Sequence, residues 1–304
     1  MTAAHPTASD ITALPVPPAQ TGESPLWHPD ERLLYWVDIP ARQLHRYDPR
    51  QQTHRHWDLP SEPACCVPVL GGGLLLAMRD GLWRFDPASG QRTLCAPPPY
   101  NPAEQRFNDG KADAQGRFWV GTIDDQRRPQ ATLYRFSDGR VQPIAGGISN
   151  SNGLAFSPDG RTLYWADTKG HAVDAFDVDS GAGTLSRRRA FARFAPRAEG
   201  QAIAAYGGRP DGAAVDSEGA YWVAMYEGQR LLRLAPDGAT LLDLPLPVRC
   251  PTMPCFGDDD LRTLYLTTAR HGRPADELAR QPLAGCVLQL RVPVPGLPAH
   301  LARL

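Results

Sequence analysis

A six-bladed, all-β propeller with four-stranded blades is the fold this sequence predicts, and three observations carry that prediction. The first is a motif that recurs with a period of a little over forty residues, its copies opening at residues 23, 65, 108, 152, 211 and 252. A period of that size, filled with short β-rich runs and Asp-Gly or Pro-Asp turns, is the pattern of propeller blades. The second is an aromatic register. With Trp36, Trp119, Trp165 and Trp222 superposed, the opening residues Glu23, Asn108, Asn152 and Asp211 fall together, allowing two fewer residues in the shorter turns. The third is length: six units of four strands account for the 304 residues, which are expected to form one domain spanning 1–304.

The units read in order. Glu23 opens GESPLWHPDERLLYWVDI, and Cys65 opens a degenerate second copy, CCVPVLGGGLLLAMRD. From Asn108, unit three runs KADA, a QG turn, RFWVGT and TLYRFS before DGRVQPIA. Unit four runs NGLAF from Asn152, then the SPDG turn, TLYWADT and HAVDAFDVD. Its extra residues, roughly 180–208, are read as a longer outer strand pair and an exposed loop, with a lid over the channel as the sharper alternative. Asp211 opens unit five, which reads AAVD, SEG, AYWVAMY, QRLLRLA, PDG and ATLLDLPL. Thr252 stands at the start of unit six, where PADELARQPL, 274–283, is the one plausible helix. Residues 1–20 form an N-terminal tail, in which ITALPVPPAQ is expected to supply the strand that closes the ring beside the last blade. Closure removes exposed sheet edges.

Composition narrows the partners. With 42% hydrophobic and 21% charged residues and a formal net charge of -1, nothing points to nucleic acid or an anionic membrane. No run approaches the roughly 18 apolar residues of a membrane helix. The N-terminus lacks the basic start and apolar core of a secretory signal. Six cysteines without CxxC spacing read as reduced core thiols of a cytoplasmic protein, a monomer or small homo-oligomer. Lys111 and Lys169 are the only lysines, so nearly all positive charge is arginine, which reads as codon bias.

Repeated modules place equivalent residues at equivalent points around an axis. Glu23, Asn108, Asn152 and Asp211 are therefore expected to ring one mouth of the central channel. Asn or Asp before Gly ordinarily marks a turn. That explanation weakens when Glu23 holds the same position, because Glu has no special turn role. Two carboxylates and at least one amide oxygen suit a hard divalent cation. No Cys or His stands at a repeat start except Cys65, so the set does not match a closed structural zinc site. His54 and His56 share a strand face and read as surface residues of unit one. There is no GxSxG elbow, GxxxxGK[ST] loop or strand-linked GxGxxG.

The chain resembles the SMP-30/gluconolactonase family, also called the regucalcin family, at GESPLW (22–27), RFNDGKADAQGRFWVGT (106–122), SNGLAF (151–156), RPDGAAVD (209–216) and CFG (255–257). The resemblance spans essentially the whole chain. It implies a six-bladed propeller that binds one divalent cation and hydrolyses sugar lactones. Position by position, it implies Glu23, Asn152 and Asp211 as metal ligands and Arg106 and Asn108 as substrate contacts. Several relatives carry a substrate-reaching glutamate a few residues after the GT of unit three; here Gln126 stands there, with Asp124 or Asp125 as substitutes. The cation is Ca²⁺, or Zn²⁺, Mn²⁺, Fe²⁺ or Mg²⁺, since hard oxygen ligands do not choose among them.

The expected chemistry is hydrolysis of an aldonolactone to its acid without a covalent enzyme intermediate. Asp211 is expected to double as ligand and general base. Arg106 would hold ring hydroxyls or developing charge. Two alternatives use the same site: an organophosphate or aryl-ester hydrolase, and a non-catalytic Ca²⁺-binding propeller. Arg106 and Asn108 discriminate against the last, which has no need of a cationic side chain at the mouth.

Overall fold

A computed structural model describes residues 6–304, and its strands form six antiparallel sheets of four. Residues 1–5 of the expected N-terminal tail lie outside the described residues. The six sheets are the blades of the expected propeller. Five are continuous in sequence, at 22–58, 63–96, 105–148, 151–193 and 209–245. The sixth takes three strands from 251–291 and its outermost strand from Thr12–Ala13, where Thr12 pairs with Gln289 and Ala13 with Leu288. The segment expected to close the ring therefore does so.

The remaining elements follow the expected pattern. The helix is Ala275–Arg280, and no helix among the described residues is long and apolar enough to cross a membrane. Unit four has the long outer pair Ala172–Asp179 and Thr184–Arg193. The loop after it is tied down by a 2.6 Å hydrogen bond between His171 Nε2 and Tyr206 Oη. His54 and His56 lie on Thr53–Asp58, the outermost strand of blade one. His45 and His54 both stack with Trp36, at centroid distances of 5.1 and 5.6 Å. All six cysteines are free thiols, four of them buried.

The tryptophan register has a physical cause. In blades three and five, the buried indole N–H of Trp119 or Trp222 donates to Oδ2 of Asp113 or Asp216 at 2.8 Å. Each aspartate opens an Asp-x-x-Gly turn, and its Oδ1 accepts two turn amides at 3.0 Å, from Gln115 and Arg117 or from Glu218 and Ala220. Arg117 and Arg233 complete the carboxylates at 2.6 and 2.8 Å. Turn, aspartate and tryptophan form one satisfied polar unit, so their spacing is fixed. In blade four the Trp165 indole N–H donates instead to Ser151 Oγ, on the innermost strand beside the repeat start, at 2.7 Å.

One feature of the ladders positions the site. A propeller sheet packs its two faces on neighbouring blades, so a regular innermost strand aims its side chains at those blades. Every innermost strand here slips in register near its repeat start. The slips fall between Glu23 and Leu26, Pro63 and Cys65, Phe107 and Gly110, Asn152 and Ala155, Pro210 and Ala213, and Pro251 and Met253. Such bulges re-aim the side chains beside them.

Because Asp216 is fully buried, with Arg233 and Trp222 both relying on it, removing it strands a guanidinium and an indole. Asp216→Ala is expected to lower stability by about 3–5 kcal/mol, the range for breaking a buried pair by removing one partner. Urea titration checks this against Asp237→Ala, in an exposed turn, which should shift the curve little.

Candidate active site at one mouth of the channel

Glu23, Asn108, Asn152 and Asp211 come from four different blades and line one cavity of about 330 Å³. The other two repeat starts turn away. Thr252 Oγ1 donates to Gly22 O at 2.6 Å and lies 2.8 Å from Thr267 Oγ1, while Cys65 is buried in an apolar cluster. The degenerate copies are thus packing residues.

Polar contacts link three of the four in an arc. Arg106 Nη1 donates to Asn108 Oδ1 at 2.7 Å. Asn108 Nδ2 donates to Asn152 Oδ1 at 3.0 Å and to Ser151 O at 2.8 Å. Asn152 Nδ2 then donates to Asp211 Oδ1 and, at 2.8 Å, to Thr168 Oγ1. Glu23 belongs to blade one, outside the arc, and among the described residues its carboxylate accepts one hydrogen bond, from the Ser24 amide at 3.0 Å. Gly153 lets this geometry form. It sits at φ +58, and a Cβ there would lie 2.3 Å from Tyr221 Oη, which donates to Gly153 O at 2.8 Å.

The electrostatics are those of a cluster of acids. Burial, followed by the charges of Asp211 and Asp109, pushes the Glu23 carboxyl well above its usual range. Burial likewise pushes Asp211 up to about 8, against the pull of Arg209 and Arg106. Asp109 is also buried: burial raises it to about 6, Oδ2 accepts the Leu154 amide at 2.7 Å, and Oδ1 has no partner. Neither Glu23 nor Asp211 forms an ion pair among the described residues; Arg209, the basic neighbour of Asp211, pairs with Glu227 at 3.1 Å. No group of three His, Cys, Asp or Glu side chains suited to a metal occurs among the described residues. Here the third oxygen is the Asn152 amide. Two carboxylates without an ion pair and an amide oxygen beside them are a donor set that fits a hard divalent cation.

Other lining residues were not visible from the repeat starts. Thr21, Arg106, Asn150 and Arg209 each stand two positions before a repeat start, and all four line the cavity. Of these, Arg106 is the one that the family resemblance implied. The parallel between Arg106-Phe-Asn and Arg209-Pro-Asp was the signal for Arg209. Arg127 and Lys169 also line it, each from the connection between the second and third strands of its blade, 125–130 and 168–171.

The loop at 124–131 corrects one expectation. Asp124 and Asp125 do not face the cavity. Arg128 holds the buried Asp124 at 2.7 Å, and Arg79 holds Asp125 at 3.0 Å. Gln126 is exposed and does not line the cavity either. The loop reaches the site through Arg127 instead, because neighbouring arginines tie both aspartates outward. None of residues 180–208 lines the cavity, so the lid alternative for that loop has no support here.

Residues 21–270 match the model of the SMP-30/Gluconolactonase/LRE-like region. The chain belongs to this family. An SMP-30/gluconolactonase relative from Pseudomonas putida, 6-deoxy-6-sulfogluconolactonase, is 44% identical over 283 residues, covering 92% of this chain and 94% of the relative. Human regucalcin is 31% identical over 88% of this chain and 90% of its own. Among solved structures, a calcium-binding regucalcin from Agrobacterium tumefaciens superposes with a TM-score of 0.88 at 27% identity, covering 96% of this chain and 97% of that one.

Proposed function

We propose that the protein is a sugar lactone hydrolase that opens an aldonolactone to its acid at the mouth lined by Glu23, Asn152 and Asp211, with one divalent cation held by those three residues. The observation that carries the reading is the meeting at one cavity of two carboxylates without an ion pair, Glu23 and Asp211, with the Asn152 amide, Asn108 and Arg106. The 44% identity to a protein named as a sulfogluconolactonase supports the substrate class. The regucalcin described as calcium-binding supports the cation, and leaves its identity open.

A divalent ion supplies a Lewis acid that polarises a carbonyl and acidifies water. The chain's own residues do the rest. Asp211, ionised, accepts the proton of the attacking water as its oxygen adds to the lactone carbon. The ring C–O bond then breaks, and that proton passes to the departing ring oxygen, giving hydroxy acid from lactone plus water. Arg106 offers further donors to the sugar or to the carbonyl oxygen as negative charge develops there. Asn108 holds Arg106 in place through the 2.7 Å hydrogen bond. The reading carries with it a single propeller domain in a reducing, cytoplasmic setting.

Two predictions test this. In Asp211→Ala and Glu23→Gln, loss of one carboxylate leaves the ion's charge uncompensated. Calorimetric titration of metal-stripped protein with Ca²⁺, Mn²⁺ or Zn²⁺ should show much weaker binding, and aldonolactone hydrolysis should largely disappear. Asp259→Ala, in an exposed ion pair, serves as the control. Unchanged affinity in both site variants contradicts the ligand assignment.

Arg106→Ala is expected to lower lactone kcat/KM by roughly 10²-fold or more, the scale for one electrostatic contact in a transition state. Its metal affinity and melting temperature should stay at parent values. A rate close to the parent's would mark Arg106 as structural, and lost metal would move it into the ligand shell. The same panel separates catalysis from a non-catalytic calcium-binding propeller, which would bind the ion and release no acid.

A further inference from the structure

The cavity has more positive charge at its rim than lactone opening requires. Four cationic residues line it, Arg106, Arg127, Lys169 and Arg209, alongside Glu23 and Asp211 as its only carboxylates. Arg209 is neutralised by Glu227, which also holds Arg273 at 3.0 Å. Arg106, Arg127 and Lys169 form no ion pair among the described residues. Lys169 Nζ instead donates to the Arg127 backbone oxygen at 3.5 Å, which brings that lysine against the 124–131 loop.

This lack of partners is local. On the same loop Arg128 takes Asp124 and Glu104, at 2.7 and 2.9 Å, and Arg79 takes Asp125. The two aspartates nearest Arg127 in sequence are thus committed to other arginines, and Arg127 is left at the rim. The like charges feel one another: burial, and then the charges of Arg127 and Arg79, hold the Arg106 guanidinium down against the opposing pull of Glu62. A divalent cation on Glu23 and Asp211 would cancel their charge, leaving the rim positive. A neutral sugar offers nothing to offset three clustered cations, whereas a tetrahedral oxyanion does, through charge-assisted hydrogen bonds.

We propose that the lactone carries an anionic group, a sulfonate or phosphate ester, away from its ring carbonyl, and that Arg127 and Lys169 bind it as specificity-determining residues. This rests on the lactonase reading above. The cavity, about 330 Å³, is at the small-molecule end of the roughly 300–1,000 Å³ seen for ligand pockets. The sugar ring and its charged end therefore share one site.

The test compares initial rates on gluconolactone, 6-phosphogluconolactone and the 6-sulfo analogue. One or both charged lactones should have kcat/KM at least about tenfold above the neutral one, with an advantage that shrinks as salt screens the rim. The preferred anion identifies the source. In the Arg127→Gln/Lys169→Gln double variant the charged-to-neutral ratio should fall by about tenfold or more, the scale of losing charged hydrogen bonds. Arg140→Gln, on an exposed outer strand, should leave the ratio unchanged. Calorimetric binding of 6-phosphogluconate and 6-sulfogluconate against gluconate isolates the second anion without turnover. Equal rates on neutral and charged lactones, or a ratio untouched in the double variant, would overturn the proposal. If no lactone is hydrolysed, the hydrolase reading fails, and the binding comparison still decides the anion site: equal affinity for the three acids overturns it.

Discussion

A β-sheet offers its side chains to the layers above and below it and only backbone to its edge, yet the channel of a propeller lies along that edge. Any side chain that reaches the channel must leave the regular pleat, and the slipped ladders of the six innermost strands are where this happens. Because all the slips fall at one level, residues far apart in sequence come within hydrogen-bonding distance. Asn108 reaches Asn152, and Asn152 reaches Asp211, each across a blade boundary. The glycines beside the slips follow from the same constraint. A Cβ on Gly212 would lie 2.4 Å from the Met253 side chain of the next blade, so close approach of blades and re-aimed side chains require the same residue.

Gathering acids this way is costly. Burial disfavours the ionised form of Glu23, Asp109 and Asp211, and for Glu23 the two aspartates add repulsion. A fold selected for stability alone would place apolar residues here, as it does at the equivalent Cys65. Elsewhere the protein neutralises buried aspartates with care: Asp113 and Asp216 each accept two backbone amides, an indole and a guanidinium. The contrast between those satisfied carboxylates and the unpaired ones at the mouth is what separates a structural carboxylate from one kept available for a ligand.

This contrast also explains what the sequence could tell. The period was legible because the ring repeats one strand pattern, and the tryptophan register because in blades three and five hydrogen bonding ties the tryptophan to its Asp-x-x-Gly turn. The convergence of Glu23, Asn108, Asn152 and Asp211 followed from that symmetry. The bulges did not, since Asn-Gly and Asp-Gly pairs look the same in a turn and in a slipped strand. Arg127 and Lys169 were hidden for a related reason: they lie on the connections between the second and third strands of their blades, whose length and sequence change from blade to blade. The expectation of a carboxylate from 124–126 failed because which neighbouring arginine captures an aspartate is decided by tertiary contacts.

The two ends of the channel are built for different tasks, and the same six strands build both. Three and four positions beyond the repeat starts, the strands line a second cavity with Leu26, Trp27, Ala112, Phe156, Val215 and Phe256. The C-terminal segment crosses that end. It is anchored on one side where Gly296 bridges Asp216 and on the other where Ala302 bridges Val69, and Leu297 to His300 line the cavity between the anchors. The innermost strands of blades one, three, four and five are therefore polar at their starts and, Lys111 apart, apolar toward their ends, an amphipathicity along the strand rather than across it. Alternation across a strand decides which face meets the core; a gradient along it decides which mouth can hold charge. The unpaired acids, the amides and the rim cations lie at one end, while apolar packing and the strap cover the other. The acids are gathered at one mouth by the same repeat that makes the ring.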